Sequence, residues 1–250
     1  MNIPLVGRSK RSGSCGTLAP WGTLSAVAVF VFPLILYGLT LAPTVTFEDS
    51  GEFIAAAFTL GVPHPSGYPL WCLLAHAFTW LPFGEIAQRV HLCSAVFAAA
   101  TVWLTYLVAL NLTRHRGAAW IAAIALGVSR VLWSQAVIAE VYTLNSFFTV
   151  LLIYLVLRWK ESRTRGWLYL LALSFGLGLA NHLLISLVAP VLIVWLLTVD
   201  WRALIKPRVL SIGTLLILAG LSVYLYLPLR AISDPPINVG TPDTLTKTWT

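Results

Sequence analysis

Seven long apolar stretches divide this sequence, near residues 21–41, 89–111, 117–134, 141–158, 166–181, 183–200 and 208–229, and nearly all of its charge falls between them. A helix needs roughly 17 to 25 apolar residues to cross the ~30 Å hydrocarbon core of a bilayer. With 58% apolar and only 10% charged residues, and a mean hydropathy of +0.85, the chain has too little polar surface to cover a soluble core. The reading is an all-α integral membrane protein with about seven transmembrane helices. Arg8, Lys10 and Arg11 precede the first stretch. Its length of about twenty residues exceeds that of a signal-peptide core, so it reads as an uncleaved span.

The charges orient these helices, because cytoplasmic connections collect Lys and Arg. With the N-terminus inside, Arg8, Lys10, Arg11, Arg114, Arg116, Arg158, Lys160, Arg163, Arg165, Arg202, Lys206 and Arg208 all fall inside, twelve of the 16 basic residues. Glu48, Asp49, Glu52, Glu85, Glu140, Asp234 and Asp243 fall outside, against Glu161 and Asp200 inside. The pI near 9.6 then reflects topology rather than an affinity for nucleic acid. Segment 69–83, PLWCLLAHAFTWLPF, is also apolar, but its fifteen residues would rise only ~22 Å and prolines bracket it. Counting it as an eighth span would also break the charge agreement. It reads as a juxtamembrane helix on the outer surface, with Trp71, His76 and Trp80 at headgroup level.

Three regions follow: a cytoplasmic segment 1–20, a membrane domain 21–229 with a first outer loop at 42–88, and an outer segment 230–250. The last of these has turn composition and no further span to pack on, which predicts that the chain is the N-terminal module of a longer protein. Cys15, Cys72 and Cys93 have no metal-ligand spacing and form no even disulfide framework.

Polar chemistry collects on the outer face. Glu48, Asp49 and Glu52 follow the first span, beside HPSGYP, which sets His64 between two prolines in a stiff turn near Tyr68. A solvated acidic loop with Asp49 or Ser50 as a helix cap would give the same pattern. Glu140 and Tyr142 sit at the next outer turn, Asn181 and His182 at the one after, and Arg230 at the outer end of the last span. Singly, Glu140 reads as a helix-end residue in water and Arg230 as a snorkelling anchor. Together the outer turns supply carboxylate, imidazole, amide and guanidinium, whereas a transporter's ligands would lie near the midplane.

The segments APTVTFEDSGEF, GVPHPSGYPLW, AQRVHLCSAVFAA, SQAVIAEVYTLN, GLANHL and YLPLRA through PPINVGTP together resemble a multi-pass family. That family was long catalogued as a domain of unknown function and is now grouped with protein O-mannosyltransferases in the GT-C class of glycosyltransferases. The resemblance runs from about residue 20 to 243, with Ser66 where a second proline is common. It implies a GT-C-like module of seven spans, a first outer loop with juxtamembrane helices and a catalytic acid, and a polyprenyl-phosphate sugar donor. It implies a protein Ser/Thr hydroxyl or a glycan as acceptor, and mannose as the sugar. By position Asp49 matches the catalytic acid, with Glu52 as the second candidate.

A base to take the acceptor's proton and donors for the departing phosphate are what such a transfer requires. Asp49 is the expected base. His64, Arg230 and His182 are the expected phosphate contacts, with Arg89 a weaker one, and Glu48, Tyr68, Glu140, Tyr142 and Asn181 are expected to support acceptor or loop. No cofactor is expected; acids beside a histidine admit a divalent metal, but no ligand spacing specifies one. A lipid or solute transporter and a membrane scaffold remain alternatives, since fold alone does not give function. The expected location is a bacterial inner membrane with the site facing outward, or the endoplasmic reticulum membrane in a eukaryote. Cysteines placed at positions 85–87 should therefore react with an impermeant thiol reagent from the outer face; labelling from the cytoplasmic face alone would make 69–83 a span.

Overall fold

A computed structural model of the chain describes residues 20–242, with side chains from Leu24 onward. Arg8, Lys10, Arg11, Cys15 and Asp243 lie outside the described residues. The elements are helices α1 Pro20–Leu39, α2 Ser50–Thr59, α3 Pro69–Thr79, α4 Ile86–Thr113, α5 Arg116–Gly127, α6 Arg130–Ala136, α7 Tyr142–Ser162 and α8 Arg165–Asn181. A 3-10 turn, Leu183–Val188, leads into α9 Ala189–Leu204; α10 Pro207–Leu221 leads through a second 3-10 turn, Ser222–Leu225, into α11 Tyr226–Ala231. One isolated parallel bridge, Val62 to Asn238, interrupts the helical pattern among the described residues.

Each of the seven expected spans falls on one of these helices or pairs of helices. Four stretches, Ile86–Thr113, Tyr142–Ser162, Leu183–Leu204 and Pro207–Ala231, are long and apolar enough to cross a membrane. The expected single span at 117–134 is instead α5 and α6, bent by 60°. The break has a local cause: the Ser129 hydroxyl accepts the Leu132 N–H at 3.4 Å and starts a new helix just after Gly127. Helix α3, at 11 residues, rises ~16 Å and is too short to cross.

Helix α4 is the hub, packing against α1, α5, α6 and α7, and α8 packs between α7 and α10. The turns after α4 and α7 meet through the ion pair of Arg114 and Glu161, and Arg163 donates to the Val199 carbonyl at 2.9 Å. The Arg- and Lys-bearing turns therefore share one end of the bundle. At the opposite end the Ala42 N–H bonds Val137 O at 3.0 Å and the Val62 N–H bonds Ile237 O at 2.7 Å, bringing the acid-bearing loops together.

The α8–α10 contact depends on two glycines. A Cβ on Gly176 would lie 2.3 Å from the Ile217 carbonyl oxygen, and one on Gly220 would lie 2.5 Å from the Leu177 nitrogen. Membrane helices associate chiefly by close backbone packing of this kind, since lipid supplies no hydrophobic drive between them. Gly176→Ala should lower stability by about 1–3 kcal/mol. Gly213→Ala, whose Cβ would meet nothing within 4 Å, should leave it unchanged, as read by melting temperature in detergent.

Candidate active site

The first loop builds most of the site. Asp49 occupies the N-cap position of α2 but makes no side-chain cap bond, so its carboxylate is left for other contacts and is 59% exposed. One turn on, Glu52 accepts two bonds from His64, from the backbone N–H at 2.6 Å and from Nδ1–H at 2.9 Å. A carboxylate can only accept, so this pairing places the proton on Nδ1 and turns Nε2 toward the cleft. There Nε2 lies 3.1 Å from the Tyr68 hydroxyl and 3.9 Å from Asp49 Oδ2.

The HPSGYP turn can hold this geometry because Gly67 adopts φ +78 and its missing Cβ would meet the Leu227 side chain at 2.7 Å. Phe53 packs its ring on His64, Tyr68 and Trp71, at centroid separations of 5.5, 5.3 and 5.0 Å. The row continues from Tyr68 to His182 at 5.4 Å and from His182 to Tyr142 at 5.8 Å. Burial and nearby carboxylates push the Tyr68 phenol up to about 12, so it stays neutral and can donate. Burial, helped by His64, pushes His182 down. Its Nδ1 accepts the Leu184 N–H at 3.1 Å, which leaves Nε2 as the protonated nitrogen.

Glu140 closes the cleft from the other side. Its backbone oxygen accepts from the Trp71 indole at 3.1 Å and from the Ser94 hydroxyl at 3.2 Å, and its carboxylate accepts the backbone N–H of Asp49 and of Val141. The residue is buried, and burial together with Glu48 and Asp49 pushes its carboxyl up to about 7. Asn181 is fully buried and donates to the Val141 carbonyl at 3.4 Å. Asp49, Glu52, His64, Tyr68, Glu140, Tyr142, Asn181 and His182 are thus brought to one place, with Glu48 at the edge in a left-handed turn at φ 64.

Two expected phosphate contacts are placed elsewhere. Arg230 donates through Nε to Leu60 O at 2.8 Å and through Nη2 to Thr59 O at 3.1 Å, capping the C-terminal carbonyls of α2. No hydrogen bond or ion pair joins it to the cluster among the described residues. Arg89 donates to Phe83 O, Thr79 O and Gly84 O at 2.6, 2.9 and 2.9 Å, which fixes the turn before α4. Both guanidinium groups hold backbone carbonyls of turns and helix ends, Arg230 with two of its five N–H donors and Arg89 with three. Asp49, Glu52 and His64 can each turn one ligand atom to within 4.8 Å of the others, a spacing that would also accept a cation.

The residue that sequence reasoning missed is His91. It is fully buried on α4, with Nδ1 bonded to Ala42 O at 3.1 Å and Nε2 at 3.5 Å from the Ser50 hydroxyl, so it braces the start of α2 beside Asp49. One turn further, Ser94 holds Glu140. The spacing His91-x-x-Ser94 inside an apolar helix was the available signal, since three apart on a helix means one face.

Residues 49–204 match the family model described as the protein O-mannosyl-transferase TMEM260 N-terminal domain. The chain belongs to this family. It is 37% identical over 225 residues to the protein O-mannosyl-transferase TMEM260 of Mus musculus, covering 85% of this chain and 31% of that one. It is 29% identical over 219 residues to protein O-mannosyl-transferase tmem260 of Dictyostelium discoideum, covering 80% and 27%. The chain therefore spans about a third or less of the length of these curated relatives. No solved structure matches it.

The buried carboxyl of Glu140 makes stability depend on pH. Its ordinary value is 4.5 and its folded value about 7, so folding favours the protonated form. That contribution is fully present below 4.5 and is lost as pH rises through 7. Glu140→Gln keeps an acceptor oxygen without the charge. The parent's melting temperature should fall between pH 5 and pH 8 relative to the variant's, by an equivalent of on the order of 2 kcal/mol.

Proposed function

We propose that this chain is the N-terminal membrane module of a glycosyltransferase. It moves mannose from a polyprenyl-phosphate donor to a Ser or Thr hydroxyl of a protein on the outer face of the membrane. What carries the reading is the Glu52–His64 pair with the uncapped carboxylate of Asp49 beside it, at the acid-rich end of an apolar bundle. Membership of the family and the printed names of the relatives support the reaction class.

In this reading the acceptor oxygen bonds to the sugar's anomeric carbon as the bond from that carbon to the phosphate oxygen breaks. The acceptor's proton passes to Asp49, and the lipid phosphate departs with the bonding electron pair. A positioned carboxylate base is worth roughly 10²–10⁴-fold. His182, with its proton on Nε2, presents an N–H where the leaving phosphate gathers charge, while His64, its Nδ1–H held by Glu52, accepts the Tyr68 hydroxyl on Nε2 and fixes that phenol at the edge of the cleft. Arg230 keeps α2 in place so that Glu52 meets His64. Glu140 orients Asp49 through its backbone N–H, while Glu48, Tyr142 and Asn181 shape the acceptor side.

Asp49→Asn keeps size and hydrogen bonding but removes the base. In the whole protein, folded and still binding donor, it should lower the transfer rate by at least about 100-fold with donor affinity little changed. Transfer at near the parent rate would move the base to Glu52.

A further inference from the structure

The end of the bundle away from the site carries cations that no carboxylate balances. Both acids there are taken: Glu161 by Arg114 and Arg158, and Asp200 by Arg163 at 3.9 Å, with its other oxygen on the Ala203 N–H at 3.0 Å. Arg165, Lys206 and Arg208 are exposed and have no ion pair among the described residues. They stand together. Helices α8 and α10 pack in parallel where Gly176 meets Ile217 and Gly220 meets Leu177, and counting back from those contacts puts Arg165 level with Pro207 and Arg208. Both first turns also carry the positive end of a helix dipole, and neither N-cap side chain, Thr164 or Lys206, makes a cap bond.

Above these turns a groove of about 290 Å³ runs between α8, α9 and α10. Arg165 lies one turn before its lining residues Leu168 and Tyr169, and Lys206 one turn before Val209 and Leu210, so both cations stand at its mouth. From Val209 to Ile217 the wall climbs ~12 Å, most of the ~15 Å that the hydrocarbon of one leaflet occupies. Ile193 and Leu210 in its walls are 54% and 55% exposed, so the groove opens sideways from the bundle. Two hydroxyls enter it, those of Tyr169 near the mouth and Thr214 one turn above Leu210, and each can donate to an ester oxygen.

We propose that this groove binds one anionic glycerophospholipid from the leaflet at the basic end, with its phosphate at Arg165, Lys206 and Arg208 and one acyl chain along α8 and α10. Charge complementarity selects the occupant. A further apolar helix would fill the groove and leave three cations without a counter-charge, whereas an anionic lipid supplies the chain and the charge in one molecule. The sugar donor is a different molecule, since its phosphate meets His182 at the opposite end.

The test uses the whole protein in detergent, with bound lipid counted by native mass spectrometry as dioleoyl phosphatidylglycerol or dioleoyl phosphatidylcholine is added. Phosphatidylglycerol should bind about tenfold tighter or better. Lys206→Gln with Arg208→Gln should weaken it by about fivefold for each charge removed and leave phosphatidylcholine binding unchanged. Arg116→Gln, at the same end but on α5 and away from the groove, should change neither. Gly213→Trp, placed in the groove where a Cβ meets nothing within 4 Å, should weaken both lipids alike while the melting temperature without added lipid stays at the parent's, and Leu196→Trp on the facing wall should repeat it. Equal affinity of the parent for the two lipids, or an equal loss from Arg116→Gln, would reduce the cations to a general surface charge and overturn the proposal. So would lipid binding that neither tryptophan moves, and so would a parent that binds neither lipid, the result expected if protein covers the groove.

Discussion

The peptide of Glu140 accepts the Trp71 indole and the Ser94 hydroxyl, donates back to Ser94, and carries a side chain that accepts the Asp49 N–H. Parts of the chain far apart in sequence, α3, α4, the first loop and the α6–α7 corner, are joined at that one residue. At the end of an apolar bundle, unpaired N–H and C=O groups are costly to leave dry, and α4 meets the demand with His91 and Ser94 on a single face.

The sequence carried most of the architecture. Apolar length and the position of Arg and Lys marked the helices and their shared ends, and the eleven-residue α3 stayed short for the reason its bracketing prolines suggested. Apolar length carries no information about bends, so the break at Ser129 was hidden within a stretch hydrophobic enough to read as one span. Of the site, His64 with the acids was legible because proline and glycine mark a stiff turn. Arg230 was not: a guanidinium at a helix end suits phosphate, headgroup or carbonyl equally well until Thr59 and Leu60 are seen beside it.

Charge is separated along the bundle, and the two ends use it differently. At one end arginines meet Glu161 and Asp200 or lie over Trp159 and Trp167. At the other, carboxylates face one another with the His64 ring between Glu52, at 2.9 Å, and Asp49, at 3.9 Å. Burial, with repulsion from Glu48 and Asp49, raises Glu140 there and leaves the more exposed Asp49 to meet whatever enters the cleft.

The tie from Arg230 to the end of α2 has a mechanical side. The same stretch of chain is clamped again where Val62 bonds Ile237 and Val239, at 2.7 and 2.9 Å. Only Gly61 lies between those two fastenings, and His64 follows two residues beyond Val62. A pull on the chain at Val239 would thus be felt at Val62, two residues from His64, as directly as at α11, whose last carbonyl Asn238 holds at 3.2 Å. The segment after α11 and the turn that carries His64 are therefore fastened to the same few residues, Thr59 to Val62.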